Sequence, residues 1–348
     1  MLTTRARVTM RDIAAKFGVS HATVSLALRN HPRISAKLRE QIQHKALEMG
    51  YSPDPLLTVL SHYRHSRKAS PVQAAIAWVN CWTHPKELRA LRECDAYWRG
   101  ASDCANKFGY HLEEFIVDKN MPLTRLAKIF ITRNIKGIVI PPHRVDPGPG
   151  LEKFNFDHFS TVRLGRSVEQ PELHVVTADQ AANTAMAFKI IREKGYKRIG
   201  FVGAHHPARL FTAGFLHAQL DVPLAERLPL CLLTFPIEKN RALKDLASWI
   251  QAHKPEAIIT ESPEVPSLLT SAGYRVPEDI ALAGTSIVDG NISAGIDQHS
   301  YEVGRVAMLM VISLINDFAQ GIPPIFRQIL VEGKWVDGPE CPNRKKGK

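Results

Sequence analysis

The chain has 348 residues, of which 45% are hydrophobic and 23% charged, and this size and composition indicate a globular protein with two or three folding units. The absence of a run of about 18 uninterrupted apolar residues predicts no membrane span, and the lack of a signal-peptide segment predicts a cytoplasmic location. The five cysteines are an odd number without C-x-x-C spacing, so reduced thiols are favoured over a disulfide framework or a zinc knuckle.

The formal net charge of +11 is unevenly distributed. Residues 1–70 contain 12 Lys and Arg against 4 Asp and Glu, residues 71–338 are neutral overall, and the last ten residues carry +3. A basic stretch of folded length is typical of a segment that binds a polyanion. The sequence therefore predicts a nucleic-acid-binding head on a neutral body, followed by a basic tail that is interpreted as a solvated end.

The first fifty residues predict three short helices. Thr9 and Asp12 have capping-box spacing, and Gly18 is suited to end the first helix. Ser20 follows a tight turn and can cap the second helix, and Ser35 can cap the third. A helix, a three-residue turn and a second helix with an exposed N-terminal end predict a helix-turn-helix DNA-binding head, with a small solvated bundle as the alternative.

The segment RDIAAKFGVSHATVSLALRN, followed by GYSPD, resembles the DNA-binding head of the lactose-repressor (LacI) family of bacterial transcription regulators. The resemblance implies that His21 and Ala22 open the recognition helix and meet base edges in the major groove. It also implies that five residues mainly contact phosphates: Thr9, Ser20, Thr23, Ser25 and Asn30. Such contacts position the protein without specifying the DNA sequence. Arg29 is a further residue that the second helix is predicted to expose.

Leu26 departs from the family pattern, which usually has an arginine directly after ATVS. Arginine can donate two hydrogen bonds to guanine O6 and N7, whereas leucine offers only apolar contact, for instance to a thymine methyl group. The sequence therefore predicts an operator without the family's usual guanine at that step.

Pro53-Asp54-Pro55 interrupts the chain and precedes a short segment that contains Leu56, Leu57 and Leu60. A short isolated helix is marginally stable in water, so this segment is expected to need a partner. The resemblance implies that two such hinge helices pair in the minor groove and that Leu60 wedges into the central base step. Leu57 stands where alanine is usual, and packing of the leucines on the body remains the alternative.

From about Val72 onward, short apolar runs alternate with helical stretches, which predicts an α/β body with parallel sheets and a ligand site at the carboxyl ends of strands. Residues 71–338 are similar to the effector-binding body of the LacI family, which implies the two-lobed fold of periplasmic sugar-binding proteins. The predicted domains are a helix-turn-helix head, a hinge, a two-lobed effector-binding and dimerisation domain, and a basic tail: 1–52, 53–70, 71–340 and 341–348.

The candidate effector site departs from the family pattern at several positions. Phe211 stands where an effector-binding arginine is usual, with Arg209 two residues earlier, and Ser262 next to Glu261 replaces an acidic or amide pair. Asp179 is interpreted either as a sugar ligand or as a helix cap. The full set, which includes aromatic residues that could stack on a sugar or purine or pack in the core, is Asn80, Trp82, Tyr97, Asp179, Arg209, Phe211, Glu261, Ser262 and Ser286.

The sequence contains no Walker A, G-x-G-x-x-G, H-E-x-x-H or G-x-S-x-G motif, so it predicts no catalytic residue, cofactor or metal. The predicted function is a sequence-specific regulator, most typically a repressor, that binds a pseudo-palindromic operator as a homodimer or dimer of dimers. A small-molecule effector, such as a sugar or a related metabolite, is expected to control it. The alternatives are a regulator without effector response and a ligand-processing enzyme with a regulatory head.

Overall fold

The computed structural model describes residues 8–28, 33–49, 51, 74–143, 150–167, 170–204, 210–234, 237–288 and 291–347. Five of the predicted functional residues lie outside these ranges: Arg29, Asn30, Leu57, Leu60 and Arg209. No helix within the described ranges is both long enough and apolar enough to cross a membrane.

The head consists of three helices, α1 (Met10–Phe17), α2 (His21–Leu28) and α3 (Ala36–Glu48). The predicted capping box at the start of α1 is confirmed, because Asp12 N donates to Thr9 Oγ1 at 3.4 Å and Thr9 N donates to Asp12 Oδ2 at 2.7 Å. Gly18 ends α1 in the left-handed conformation at φ 61°. The predicted caps of the next helices are also present: Thr23 N donates to Ser20 Oγ at 3.1 Å and Leu38 N to Ser35 Oγ at 3.4 Å.

The three helices enclose a small apolar core of their own, made of Ile13, Ala14, Val24, Ala27, Ile42 and Ala46. Leu28 packs against this core while half-buried, and Val24 and Ala27 are the fully buried residues of α2. Val24 and Ala27 are three residues apart, so both lie on the face of α2 that packs against the head core. The head therefore has a packed interior that is separate from the cores of the body.

The body contains two parallel sheets of six strands each among the described residues. The strands of the first lobe are β1 (Ala74–Asn80), β2 (Tyr110–Ile116), β3 (Gly137–Ile140), β4 (Ser160–Leu164) and β5 (His174–Ala178). The second lobe contains β6 (Ile199–Ala204), β7 (Cys231–Leu233), β8 (Ala257–Thr260), β9 (Ala281–Gly284) and β10 (Gly295–Asp297). β11 (Gln328–Val331) then returns to the first lobe and β12 (Lys334–Val336) to the second.

The strand orders are β2-β1-β3-β4-β5-β11 and β7-β6-β8-β9-β10-β12. All pairings are parallel except that of β12 with β10. This arrangement confirms the predicted parallel sheets, and it places the carboxyl ends of strands from both lobes at the junction between the lobes.

The helices of the body are α4 (Pro85–Ala90), α5 (Arg92–Lys107), α6 (Leu123–Thr132), α7 (Gln180–Glu193), α8 (Phe211–Ala218), α9 (Lys239–His253), α10 (Val265–Ser271) and α11 (Ser300–Asn316). Extended backbone at Leu91, with ψ 119°, separates α4 from α5. The close crossing of α5 and α11 depends on glycine, since a Cβ on Gly304 would lie 2.0 Å from the carbonyl oxygen of Tyr97.

The chain passes between the lobes three times: from β5 into α7, from β10 into α11, and from β11 to β12. Two of these connections are joined by hydrogen bonds, because Asp179 N donates to Val331 O at 2.8 Å and Gly333 N donates to Asn183 Oδ1 at 2.8 Å. Connections held together in this way act as a hinge region, about which two rigid lobes can reorient.

The basic tail, expected to be a solvated end, is packed on the second lobe over its first residues. Cys341 is buried, and Tyr196 Oη donates to Pro342 O at 3.0 Å. Arg344 lies over the Tyr196 ring at 4.2 Å and forms an ion pair with Glu256 at 3.2 Å. A guanidinium held by both an aromatic ring and a carboxylate is fixed in place, which is why this part of the tail follows the body.

Candidate functional site

The N-terminal end of α2 forms an exposed surface directly behind the Gly18 turn. His21 and Ala22 are both exposed, while Thr23 is half-buried and its hydroxyl lies 2.9 Å from Ser20 Oγ. The capping contact sets the direction in which α2 leaves the turn, so His21 and Ala22 project from the start of the helix. A helix whose N-terminal residues are exposed behind a tight turn has the geometry that enters a DNA major groove.

Ser25 and Leu26 continue this face one turn further along α2, and both are half-buried. Part of the Leu26 side chain is covered by the head. The remaining surface is apolar, which permits the contact with a thymine methyl group that the sequence predicts.

The head surface also carries exposed positive charge from Arg11, Lys16 and Lys37. Two of its carboxylates are engaged locally: the hydrogen bonds from Thr9 hold the pKa of Asp12 below its usual value, and the hydrogen bond and charge of Lys45 do the same for Glu48. Exposed cations near the start of α2 favour contact with phosphates.

A cavity of about 110 Å³ lies between the lobes of the body, at the carboxyl ends of their strands. Four of the predicted effector residues line it: Tyr97, Phe211, Glu261 and Ser286. Tyr97 comes from α5, Phe211 begins α8, and Glu261 and Ser286 follow β8 and β9. Residues far apart in the sequence are thus brought together because the parallel strands of both lobes end at the same place.

Tyr97 is buried, and its hydroxyl donates to Glu93 Oε1 at 2.8 Å. Burial, followed by the neighbouring charge of Glu93, raises the pKa of Tyr97 well above its usual value. The phenol is therefore neutral at any physiological pH and serves as a hydrogen-bond donor.

Asn80 and Trp82 do not line the cavity, and their placement corrects the prediction. Asn80 is fully buried: Nδ2 donates to Pro85 O at 3.1 Å and Glu114 Oε1 at 2.9 Å, while Oδ1 accepts from Trp82 N at 3.0 Å. Trp82 is buried in the first-lobe core, and its Nε1 donates to Pro142 O at 2.8 Å. Both side chains hold the loop after β1 in place, because buried polar groups need partners of this kind.

Asp179 and Ser262 also lie outside the cavity lining. Asp179 caps α7, with Ala182 N donating to its Oδ1 at 3.0 Å, so the structure favours the cap over the sugar ligand. Ser262 is buried, and its hydroxyl donates to Glu264 Oε2 at 2.6 Å. These two polar groups are used to start α7 and to shape the turn before α10.

Comparison with known proteins places the two regions in one family. Residues 9–54 match the model of bacterial regulatory proteins of the lacI family, and residues 188–337 match a periplasmic binding protein-like domain. The chain is 26% identical over 325 residues to the HTH-type transcriptional repressor CytR of Escherichia coli strain K12, covering 87% of this chain and 89% of that protein. This chain belongs to the LacI family of bacterial transcriptional regulators.

Solved structures agree with this LacI-family fold. A complex of the transcriptional regulator CelR with cellobiose has a TM-score of 0.56 at 18% identity and covers 96% of this chain and 100% of that one. The Lac repressor dimer bound to operator and the anti-inducer ONPF has a TM-score of 0.54 at 16% identity and covers 97% and 99%. At these identities the likeness establishes the fold, while ligand preference depends on individual side chains.

Further polar side chains that line the cavity were not singled out from the sequence, among them Glu93, Arg166, Thr177, Gln180 and Gln298. A usable signal existed for two of them, since Arg166 directly follows the apolar run TVRLG and Gln180 directly follows the candidate residue Asp179. Gln180 Oε1 accepts from Leu210 N at 2.9 Å, and Gln298 Nε2 donates to Thr285 O at 2.7 Å. These amides orient the second-lobe backbone around the cavity.

A larger and more open groove of about 570 Å³ lies on the outer side of α5, next to the start of α11. Two of its arginines are tied to neighbouring groups: Asp95 pairs with Arg89 at 2.9 Å and with Arg99 at 3.1 Å, and Arg89 lies 4.6 Å over the Trp98 ring. The second lobe contributes residues that end or follow strands to this groove, but the first lobe contributes only α4, α5 and the start of α11. The smaller cavity is lined by residues at strand ends of both lobes, and it therefore has the position and polar lining of a ligand site.

Proposed function

We propose that this LacI-family chain is a repressor that binds a two-fold operator as a homodimer or dimer of dimers and responds to a small molecule in the interlobe cavity. The observation that carries the proposal is the exposed N-terminal end of α2, with His21 and Ala22 behind the Gly18 turn. One such head covers a half-site, so a two-fold site needs two heads. CytR is itself named a repressor, which supports repression here.

The proposed domains are those predicted from the sequence: a DNA-binding head over 1–52, a hinge over 53–70, an effector-binding and dimerisation body over 71–340 and a tail over 341–348. The separate core of the head supports its independence from the body. His21 and Ala22 read base edges, and Leu26 contributes apolar contact. The phosphate contacts that position the protein come from Thr9, Ser20, Thr23, Ser25 and Asn30, and Arg29 is a further DNA-binding residue. Leu57 and Leu60 contact the minor groove.

Effector control follows from the same fold. A ligand between the lobes can change operator affinity only if it binds one arrangement of the lobes more tightly than the other. The cavity lining, with Phe211 and Tyr97 beside several polar groups, supports binding of a sugar or a related metabolite. The solved CelR complex with cellobiose is a structural neighbour in which such a ligand is bound.

The protein is proposed to act in the cytoplasm without catalysis. Its matched relative CytR is named a transcriptional repressor, which supports a regulatory function. Binding energy that changes a conformational equilibrium is sufficient for this function, and no bond has to be made or broken.

The test compares operator binding by the full-length protein, a variant that lacks residues 1–70, and Leu60→Ala. Removal of the head and hinge is expected to abolish operator binding while the body remains a folded dimer. Leu60→Ala is expected to weaken specific binding more than non-specific binding, because a wedge acts only where the central step deforms. Specific binding by the truncated protein would contradict the domain assignment, and equal losses for Leu60→Ala on both DNAs would contradict the hinge.

A further inference from the structure

We propose that the basic tail and the turn on which it packs form a second DNA-binding surface, which holds a duplex other than the operator by its phosphates. This tail surface consists of residues 192–198, at the end of α7 and in the turn after it, together with Lys254 and residues 341–348. The proposal rests on the proposed function, because the heads are taken to occupy the operator. It adds a partner at the opposite end of the body, so that one dimer bridges two duplexes.

The tail surface combines positive charge from segments that are distant in the sequence. Residues 192–198 contain four Lys and Arg against one Glu, and residues 341–348 contain four Lys and Arg without an acidic residue. Lys254 directly follows α9 and adds a further exposed cation. Cations clustered on one surface are the electrostatic footprint of a polyanion partner.

The tail is fixed on the turn after α7 through the backbone of both segments. Arg344 N donates to Lys194 O at 3.0 Å. Gly195 has φ 101°, and a Cβ there would lie 3.4 Å from Lys345 Cγ, so the glycine lets the tail lie directly across the turn. Lys345 is nevertheless exposed. The two basic segments therefore form one continuous surface.

Glu256 lies beneath this surface and joins its parts. Its Oε1 pairs with Arg344 at 3.2 Å, while its Oε2 accepts from the backbone N of Lys197 and, at 3.1 Å, from the backbone N of Arg198. Both oxygens of Glu256 are therefore used to hold the tail and the turn together. Lys197 approaches this carboxylate with its backbone, and its exposed side chain stays available to a partner.

Neighbouring carboxylates are paired with cations other than the exposed lysines. Asp337 pairs with Lys194 at 2.5 Å, and Glu226 pairs with Arg192 at 2.8 Å. Glu193, the last residue of α7, is exposed and contributes one negative charge to the surface. The local pairs therefore leave an excess of positive charge that faces solvent.

Three exposed lysines of the tail surface have no ion pair among the described residues: Lys197, Lys254 and Lys345. The sequence continues with Lys346 and Lys348. An exposed ammonium group without a protein partner can contact a phosphate and release a counterion at little cost in lost internal contacts. Such contacts hold DNA without reading its sequence.

The aromatic rings of this region favour a duplex over a single strand. Tyr196 is buried, with the Arg344 guanidinium 4.2 Å from its ring, and Lys194 Nζ lies 5.6 Å from the Trp335 ring. Unpaired bases bind proteins largely by stacking on exposed rings. Because protein cations lie over both rings, the surface offers ammonium groups to the phosphates of a duplex.

The tail surface and the head connection lie at opposite ends of the body. β6 begins at Ile199, directly after the turn, and β8 begins at Ala257, so the tail surface is at the amino ends of second-lobe strands. The chain enters the first lobe at Ala74, the amino end of β1. Since the carboxyl ends of both sheets meet between the lobes, their amino ends face away from each other. Heads on an operator therefore leave the tail surface open to a second segment of the same DNA, which is present at high effective concentration.

The first experiment tests whether operator-bound protein holds a second duplex. Full-length protein is bound to an excess of the selected operator duplex on beads, and a labelled duplex of scrambled sequence is added. Wild-type protein should retain the labelled duplex at about 50 mM salt and release it with a slope of log K against log salt of about −4, as expected for about five neutralised phosphates. No retention would overturn the proposal. Protein that stays on the operator beads reports the proposed function separately.

The second experiment removes the charge of the tail surface. A quadruple variant, with Lys197→Gln, Lys345→Gln, Lys346→Gln and Lys348→Gln, should retain about tenfold less labelled duplex, while its operator binding at about 150 mM salt stays the same. The matched control replaces four exposed lysines of the first lobe and should behave like the wild type: Lys86→Gln, Lys119→Gln, Lys128→Gln and Lys153→Gln. A second pair of heads in a dimer of dimers could also hold the labelled duplex, and it would do so equally in both variants. Equal retention by the wild type and the tail variant would therefore overturn the proposal.

The third experiment tests whether the fixed tail matters beyond its charge. Arg344→Gln and Lys348→Gln each remove one positive charge, but Arg344 also holds the tail to Tyr196 and Glu256. Arg344→Gln should lower retention about fivefold, and Lys348→Gln about twofold or less. Equal losses would show that the tail acts as a free polycation, which would contradict the joined surface.

Other polyanions are tested with the same operator-bound protein. A labelled single strand should be retained less than the duplex, and vesicles of phosphatidylcholine with phosphatidylglycerol should not be retained above the level of the tail variant. A single strand held more tightly than the duplex would contradict the assigned partner. Retention of the vesicles without retention of the duplex would assign the surface to a membrane and overturn the proposal.

Discussion

The head and the body of this protein present their functional groups in different ways. In the head, the residues that face DNA lie on one short helix, and their direction is set by Ser20 at its start. In the body, the cavity is lined by residues from α5 to the loop after β10, a span of some two hundred positions. A surface on one helix can be analysed from local sequence, whereas a cavity between two lobes requires the topology.

The largest expected effect comes from destabilising the core of one region while the folding of the other region is monitored. Gly304→Val should destabilise the body by roughly 3 kcal/mol or more, because a Cβ there would lie 2.0 Å from Tyr97 O and the two helix backbones would have to separate. The melting transition of the body, followed by calorimetry, should fall steeply. Ser313→Val, on the exposed face of the same helix, is the control.

Since the head has a separate core, its helices should stay folded in Gly304→Val at temperatures below the body transition. NMR signals of head residues provide the measurement. Simultaneous loss of head and body signals would show that the two regions fold as one unit.

A substitution in the recognition helix α2 is expected to change the DNA sequence preference of the head without changing its stability. Leu26→Arg should restore preference for guanine at the operator step that this residue faces, since a bidentate arginine contact discriminates by about 1–3 kcal/mol. The measurement is selection of sites from a random duplex pool. Leu47→Arg adds the same charge at an exposed leucine of α3, and it should strengthen binding to all DNA without adding a guanine. A guanine selected equally by both variants would contradict the assignment of Leu26.

Loss of the first cap should affect the head moderately. Thr9→Ala removes the hydroxyl that accepts from Asp12 N and is expected to cost about 1 kcal/mol of head stability. Thr9→Ser retains a capping oxygen and should remain close to wild type. Urea unfolding of the head, followed by circular dichroism, measures both variants, and equal stability of Thr9→Ala and Thr9→Ser would exclude a role for the cap.

The smallest expected effect is a pH dependence in the second lobe. Hydrogen bonds from the Arg275 side chain and backbone lower the pKa of Asp279 from 3.8 to about 2. Because the folded-state pKa is below the unfolded value, the stabilisation is fully present above about pH 4 and disappears as the pH falls through about 2. The difference in denaturation midpoint between the wild type and Asp279→Asn should therefore shrink over that window. If the difference in denaturation midpoint stayed constant over that pH range, the charge of Asp279 would make no contribution to the stability of the fold.

The sequence predicted the head more completely than the body because its signals are local. The capping residues Thr9, Ser20 and Ser35 act within three positions, and each of them was confirmed. In the body, the alternation of strands and helices predicted the parallel sheets, since that pattern is also local.

The composition of the cavity could not be predicted in the same way. Tyr97 and Phe211 line it, but Asn80 bonds with its own loop and with Glu114 of β2, and Glu93 was not singled out. Which polar side chain faces a cavity and which one satisfies buried backbone depends on loop geometry, and a single sequence does not encode that geometry in its pattern. The break between α4 and α5 at Leu91 has the same origin, because neither glycine nor proline marks it.

The measurement that tests the central claim most directly is selection of binding sites from a random duplex pool by the full-length protein at about 150 mM salt, since affinity for DNA has meaning only at a stated salt concentration. A two-fold motif with half-sites about one helical turn apart, and without a guanine at the Leu26 step, is the expected result. Salt-sensitive binding without any motif would contradict the claim that the exposed end of α2 reads a specific operator.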